Sequence, residues 1–262
     1  MLKKARTYGP PPFETAVVHG GPGAAGEMAP VAREMGSFVG VLEPLQAERS
    51  LEGQVQELKR VLEGNAELPV RLIGFSWGAW LSYLVAARYP PLVGKVILVG
   101  SGPFEEKYAS AILETRLSRL GDDDRPEVES LLRILDNPAT GDKHRAFIRL
   151  GKLLLKADSY DPLPSDSESI DFDADLFQAV WREGSELRKS GQLLELGRRI
   201  TCPVVAIHGD YDPHPAEGVR GPLGRVVKNF RFVLLRECGH KPWLERRARD
   251  RFYEILKKET AV

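Results

Sequence analysis

Four short stretches of the 262-residue chain hold residue types that together could carry acyl transfer. They are His19-Gly20-Gly21-Pro22-Gly23, Gly74-Phe75-Ser76-Trp77-Gly78, "GDYDP" with Asp210 and Asp212, and "CGHKPW" with His240. A serine hydroxyl is a weak nucleophile until a base takes its proton, and the base works best when a carboxylate fixes its tautomer. The charge that develops on the attacked carbonyl oxygen needs N–H donors already aimed at it. Ser76, His240 and one of the two aspartates supply the first set. The N–H of Trp77 and one from the glycine-rich loop would supply the second.

G-x-S-x-G by itself is a common accident; it carries chemistry only where a strand runs into it and a helix leaves it. The flanks meet that condition. "VRLIGF" before Ser76 is a continuous apolar run of strand length, and "AWLSYLVAARYP" after it reads as a buried helix stopped at Pro90. The turn between them needs small neighbours and would project the hydroxyl from the top of a sheet. The start of the following helix also favours negative charge at that point.

Similar runs recur at "TAVVHG" (15–20), "SFVGVL" (37–42), "KVILVG" (95–100), "PVVAIHG" (203–209) and "FRFVLL" (230–235), with helical periodicity in "MAPVAREM" and "LEGQVQELKRVLEG" between them. Alternating strands and helices, with strands apolar on both faces, predict a mostly parallel sheet of about six strands with helices on both sides. From 103 to 199 the alternation stops. "ASAILETRLSRL", "EVESLLRIL", "HRAFIRLGKLLLK" and "DLFQAVWREG" are all helical patterns, joined by acidic loops that read as solvated connections. The expected division is a core of 1–102 and 200–262 with a helical cap, 103–199, inserted over the carboxyl edge of the sheet, where ligands bind in such folds.

On this plan each chemical stretch falls after a strand: the glycine loop after the first, Ser76 after the third, the aspartates after the next-to-last and His240 after the last. His19 is expected to support its loop by hydrogen bonding, and His208 and His214 simply flank a turn. Cys202 and Cys238 match no metal-ligand spacing and lie near opposite ends of parallel strands, beyond disulfide reach.

The set HGGPG, GFSWG, GDYD and CGH resembles the α/β-hydrolase superfamily, and HGGPG with Trp after the serine is similar to its proline iminopeptidase branch. The resemblance implies an α/β-hydrolase fold, Ser76 as nucleophile, Asp212 as acid, His240 as base, and Gly21 and Trp77 as oxyanion donors. Asp210 then caps the turn. It also implies that acidic cap residues hold a substrate ammonium, and "WREGSELRKSG" offers Glu186 first and Glu183 second. Two departures stand out. "LEPLQAERSLEG" replaces the D-x-R-G-x-G-x-S stretch after the second strand, and the antiparallel strands that usually open the fold have no visible counterpart.

The functional expectation is a serine hydrolase working through an acyl-enzyme, aminopeptidase-like, on a small molecule or short peptide. A carboxylesterase, or another small-molecule hydrolase or lyase with the same triad, is the alternative; a non-catalytic binding protein of this fold is the minor one. Thirty-seven basic against thirty-seven acidic residues leave no field to recruit nucleic acid. No apolar run is long enough to span a bilayer and no leader pattern opens the chain. Neither a membrane partner nor a metal or cofactor is expected, and the location read from the sequence is cytoplasmic.

Overall fold

The computed structural model describes residues 5–137, 143–164 and 171–261. Part of the acidic loop between 158 and 175 therefore lies outside the described residues. The strands are β1 (Ala5–Tyr8), β2 (Phe13–Val18), β3 (Ala24–Ala25), β4 (Gly40–Pro44), β5 (Val70–Phe75), β6 (Val93–Val99), β7 (Asp171–Phe172), β8 (Val204–Gly209) and β9 (Phe230–Leu235). The helices are α1 (Ala29–Gly36), α2 (Leu51–Asn65), α3 (Trp77–Arg88), α4 (Ile112–Ser118), α5 (Asp124–Asp136), α6 (His144–Asp158), α7 (Ala174–Lys189), α8 (Gln192–Glu195), α9 (Glu217–Val226) and α10 (Arg249–Thr260).

Seven strands form one sheet in the order β1-β4-β2-β5-β6-β8-β9, all parallel except β1, which runs antiparallel to β4. Successive side chains on a strand face opposite ways, so each strand feeds two cores. In β6, Val96 and Leu98 join the layer that packs on α2, α3 and α9, while Ile97 and Val99 join the layer under α1 and α10. That double burial explains the unbroken apolar runs. The α3 helix, between the sheet and the inserted segment, is buried from Trp77 through Ala87.

Two expectations need correction. An opening antiparallel strand is present after all: β1 lies at one edge and completes a sheet of seven strands. With Arg6 and Thr7 exposed it needs no apolar run, so the pattern that marks the central strands is missing from it. The segment between β6 and β8 is not purely helical either: the two-residue strand β7 pairs with β3, Ala24 opposite Phe172 and Ala25 opposite Asp171. Two residues are too few to show a period. Otherwise this segment carries α4 to α8 and a small core of its own, with Val128 and Leu131 of α5 against Leu150 and Leu153 of α6.

The strand order reverses around β2: the chain passes from β2 to β4 on one side, then crosses to β5 on the other. Crevices at such points, beyond the carboxyl ends of the strands, are where this architecture binds ligands. The glycine loop and Ser76 follow β2 and β5.

Candidate active site

Ser76 stands at φ 52° and ψ −114°, one of two non-glycine residues with positive φ among those described. Such a conformation costs on the order of 1–3 kcal/mol and persists only where its surroundings enforce it. They do so through close approach. A Cβ on Gly74 would lie 2.2 Å from the carbonyl oxygen of Gly78, and one on Gly78 would lie 2.2 Å from that of Val18. Ser76 N–H donates to Val99 O (2.9 Å), which ties the turn to the end of β6. Trp77 opens α3, so its N–H belongs to the set a helix leaves without internal partners.

The Trp77 ring is locked below the turn. Its Nε1–H donates to the buried Gln54 Oε1 (2.7 Å), and Gly184 of α7 comes so close that an added Cβ would sit 2.6 Å from the indole. Trp80 stacks on Trp181 (ring centroids 5.7 Å apart, 3° between planes), which stacks in turn on Phe177. Helix α7 thus meets the turn at Ser76 through small and aromatic residues.

In the glycine loop, Gly21 has φ +103° and Gly23 has φ +76°; a Cβ on Gly21 would lie 2.7 Å from Gly23 N. His19 behaves as its sequence position suggests. Its Nδ1–H donates to Gly20 O (3.0 Å) while Nε2 accepts from Gln46 N–H (3.2 Å). Burial holds it below the usual histidine range, although its bond to Gly20 O favours the charged form. Gln46 answers from its side chain, donating to His19 O (2.8 Å) and accepting from Gly23 N–H (3.3 Å). It lies in the stretch that departs from the resembled family and does the bracing there. Nothing in the sequence marked it.

Asp212, not Asp210, meets the histidine. His240 Nδ1–H donates to Asp212 Oδ2 at 2.7 Å, with the aspartate side chain fully buried. Asp210 Oδ1 instead accepts from Cys238 N–H, bracing the loop. The His240 ring rests on Phe75, the residue before Ser76 (centroids 4.7 Å), and against Gly100, the residue after β6, where an added Cβ would come within 3.1 Å of Nδ1. Burial by itself would push the Asp212 carboxyl up, but His240, His214 and His208 around it hold it well below the usual carboxylate range. From half-buried Ser76 to buried His240 to enclosed Asp212, access to water falls along the series.

Sequence reasoning missed His214. Its backbone N–H and its Nδ1–H both donate to Asp212 Oδ1, at 2.9 and 2.8 Å, and its ring lies 4.5 Å from that of His240. His208 Nε2–H donates to His214 O (2.8 Å). The local signal was Asp-x-His spacing, too short and common to stand out. Asp212, His214 and His240 are also the one grouping among the described residues with three atoms close enough for a metal ion. Both Nδ1 atoms already point at the carboxylate, so an ion bound through them would have to break both bonds.

The His240 loop is held from the inserted segment. Glu245, 1% exposed, accepts from the N–H groups of Gly239 (3.0 Å), Tyr160 (2.9 Å) and Asp161 (2.8 Å), while His240 N–H donates to Asp158 O (2.8 Å). Arg116 of α4 grips Asp158 with two bonds of 2.7 Å. Glu183 and Glu186 are placed differently from the expected ammonium anchor. Glu183 Oε2 accepts from Leu51 N–H at the start of α2 (2.7 Å), and Glu186 is exposed and paired with Lys189 (3.2 Å). The buried face of α7 is Leu176, Val180, Gly184 and Arg188, which leaves both glutamates off it.

Known proteins agree with this architecture. The profile described as alpha/beta hydrolase fold matches residues 52–246. The chain belongs to the α/β-hydrolase family. Solved structures with the same fold include a meta-cleavage product hydrolase from Pseudomonas fluorescens IP01 (TM-score 0.64, 16% identity, 97% of this chain and 92% of that one). A monoacylglycerol lipase from Paleococcus ferrophilus matches at TM-score 0.63 and 14% identity over 98% and 97% of the two chains. A proline iminopeptidase from Mycobacterium smegmatis matches at 0.61 and 15% over 98% and 93%. No curated protein sequence matches the chain. Among the described residues, no helix is long and apolar enough to cross a membrane.

Proposed function

We propose that the protein is a serine hydrolase that cleaves small carboxylic esters through an acyl-enzyme. The observation that carries the reading is the 2.7 Å Asp212–His240 bond, set against Phe75 and Gly100 beside a strained, half-buried Ser76. Ser76 Oγ attacks the acyl carbonyl as His240 Nε2 takes its proton. Asp212 holds Nδ1–H and stabilises the imidazolium. The N–H groups of Gly21 and Trp77 receive the oxyanion. His240 then returns the proton to the leaving alcohol, and a water activated by the same imidazole releases the acid. In this reading the segment 103–199 acts as the cap that lies over the substrate.

Ester rather than aminoacyl substrates are favoured because a substrate ammonium in an enclosed site needs an unspent anion. Both glutamates that the resemblance suggested are engaged elsewhere, Glu183 on a helix start and Glu186 at the surface. The test is labelling by a fluorophosphonate, with Ser76→Ala as blank, alongside turnover of p-nitrophenyl esters and aminoacyl arylamides. The expected result is a single label at Ser76 and ester turnover above arylamide turnover. Absence of label would overturn the serine mechanism, and faster arylamide turnover would return the protein to the aminopeptidase branch.

A further inference from the structure

A triad needs one imidazole on its carboxylate, and here there are two. Asp212 presents each oxygen to a different ring: Oδ2 to His240 (2.7 Å) and Oδ1 to His214 (2.8 Å), whose backbone N–H adds a second bond to Oδ1 (2.9 Å). The second ring has no other evident task. It is buried, lies 4.5 Å from His240, and does not contribute to the chemistry proposed above.

We propose that His214 is a positioning residue for the triad, resting on the serine-hydrolase reading. Its two donors pin Oδ1 and so turn Oδ2 to His240; they also draw charge from the carboxylate and make it a weaker acceptor toward that imidazole. An aspartate left with the backbone N–H alone at Oδ1 would be held less firmly about its side-chain torsion and would hold the His240 proton more tightly, raising the pH at which the base becomes available.

The charged and titratable groups facing this cluster fit a neutral His214. From its own loop comes Asp212, and from the end of β8 comes His208, 3.5 Å from Asp212 Oδ2; from the loop after β9 comes His240, followed by Lys241, which pairs with Glu27 at 2.8 Å. From the inserted segment comes Arg116, bound to Asp158. Asp210 and Glu245 accept from Cys238 N–H and Gly239 N–H, just before His240. Burial, with His240 and Arg116 nearby, outweighs the pull of Asp212 and brings His214 down to about 4. At neutral pH it thus donates without adding a charge beside the base.

The test compares His214→Phe, which keeps the ring volume and the backbone donor but removes the side-chain donor, with His214→Asn, whose Nδ2 sits where Nδ1 was. The rate of fluorophosphonate inactivation is followed from about pH 5 to pH 9. With Phe, the acid limb should move up by about half to one pH unit, a three- to tenfold change in proton affinity. The plateau rate should fall while the apparent reagent affinity holds. Asn should restore both. Proton NMR of the imidazole N–H signals gives a readout that needs no catalysis: the parent shows two bonded Nδ1–H signals that both shift in Asp212→Asn, and Phe removes one and moves the other. A parent that does not label at Ser76 but gives these signals would sink the hydrolase reading and leave the shared carboxylate standing. A Phe profile that superposes on the parent, or Asn no better than Phe, would overturn the role of His214. Should Phe not fold, His214→Leu carries the same comparison.

Discussion

Consider replacing Glu245 with glutamine, a change of one oxygen for one NH2 at nearly constant volume. The carboxylate accepts three backbone N–H groups, two at Oε1 from Gly239 and Tyr160 and one at Oε2 from Asp161, and it is 1% exposed. Glutamine keeps one acceptor. If its oxygen stays on Gly239 and Tyr160, its NH2 faces the N–H of Asp161, and one charge-assisted bond becomes a donor facing a donor. A hydrogen bond to a charged group contributes about 1.5–3 kcal/mol, so the loss should be about 2 kcal/mol, and Glu245→Ala, which strands all three N–H groups, should lose roughly 3–6 kcal/mol. For a chain of this size 1 kcal/mol moves Tm by about 2–4 °C, so the glutamine variant should melt about 4–8 °C lower by scanning calorimetry. His240 N–H is bonded to Asp158 O in the same clasp, so ester turnover should fall as well, through kcat more than KM. A glutamine variant melting within a degree of the parent, or an alanine variant no worse than glutamine, would refute the view that this carboxylate holds the base loop.

Ser76→Ala and His240→Ala should each lower ester kcat by about a millionfold, and the double variant hardly further, as for residues that act as a unit; multiplying losses would break the triad assignment. Asp212→Asn should lower kcat by roughly 10⁴-fold while Asp210→Asn leaves turnover close to the parent's, and the opposite order would exchange their roles. Acid should destabilise the fold in a defined window. With His214 at about 4 in the folded chain and about 6.5 unfolded, the unfolded state binds more protons between those values. Stability therefore falls as pH drops from about 6.5 to 4, by about 3 kcal/mol from this residue, and denaturant titrations of His214→Phe should show a shallower slope there. Gly184→Ala should destabilise by about 1–3 kcal/mol, because its Cβ would press on the rigid indole of Trp77; an unchanged denaturation midpoint would show that α7 can shift away.

How much of this could be read from the sequence follows from how local each cause is. The elbow was legible because its requirement is local: a serine held at positive φ between two close backbone approaches leaves only glycine at 74 and 78. The order of strands was legible because double burial writes itself as apolar runs. Asp212 and His240 were found through their places after β8 and β9, together with the family resemblance. His214, Gln46 and Glu245 were not, since each is defined by partners that only the folded chain brings near, as Glu245 is by Tyr160. An exposed glutamate and an anchoring one look alike in a helix pattern, so the pattern alone does not assign Glu186 a task. The edge strand β1 and the two-residue β7 lack the length or the burial that makes a pattern.

The insertion between β6 and β8 also sets an order of events during synthesis. β6, with Val96 through Val99 fully buried in the finished sheet, is bordered on one side by β5 and on the other by β8. The first neighbour is made before it. The second follows only after about 100 further residues, which at roughly 5–20 residues per second is about 5–20 s on the ribosome. For that interval the growing chain carries a bare, apolar strand edge, the feature that invites pairing with a stranger. The early helices of the insertion, α4 and α5, are the first material available to shield it, so a nascent chain halted before β8 should be a strong ligand for chaperones, and one released there an aggregation hazard. On the proposed mechanism every shorter chain is also inert, because Asp212 and His240 arrive only with the strand that closes the gap and the one after it.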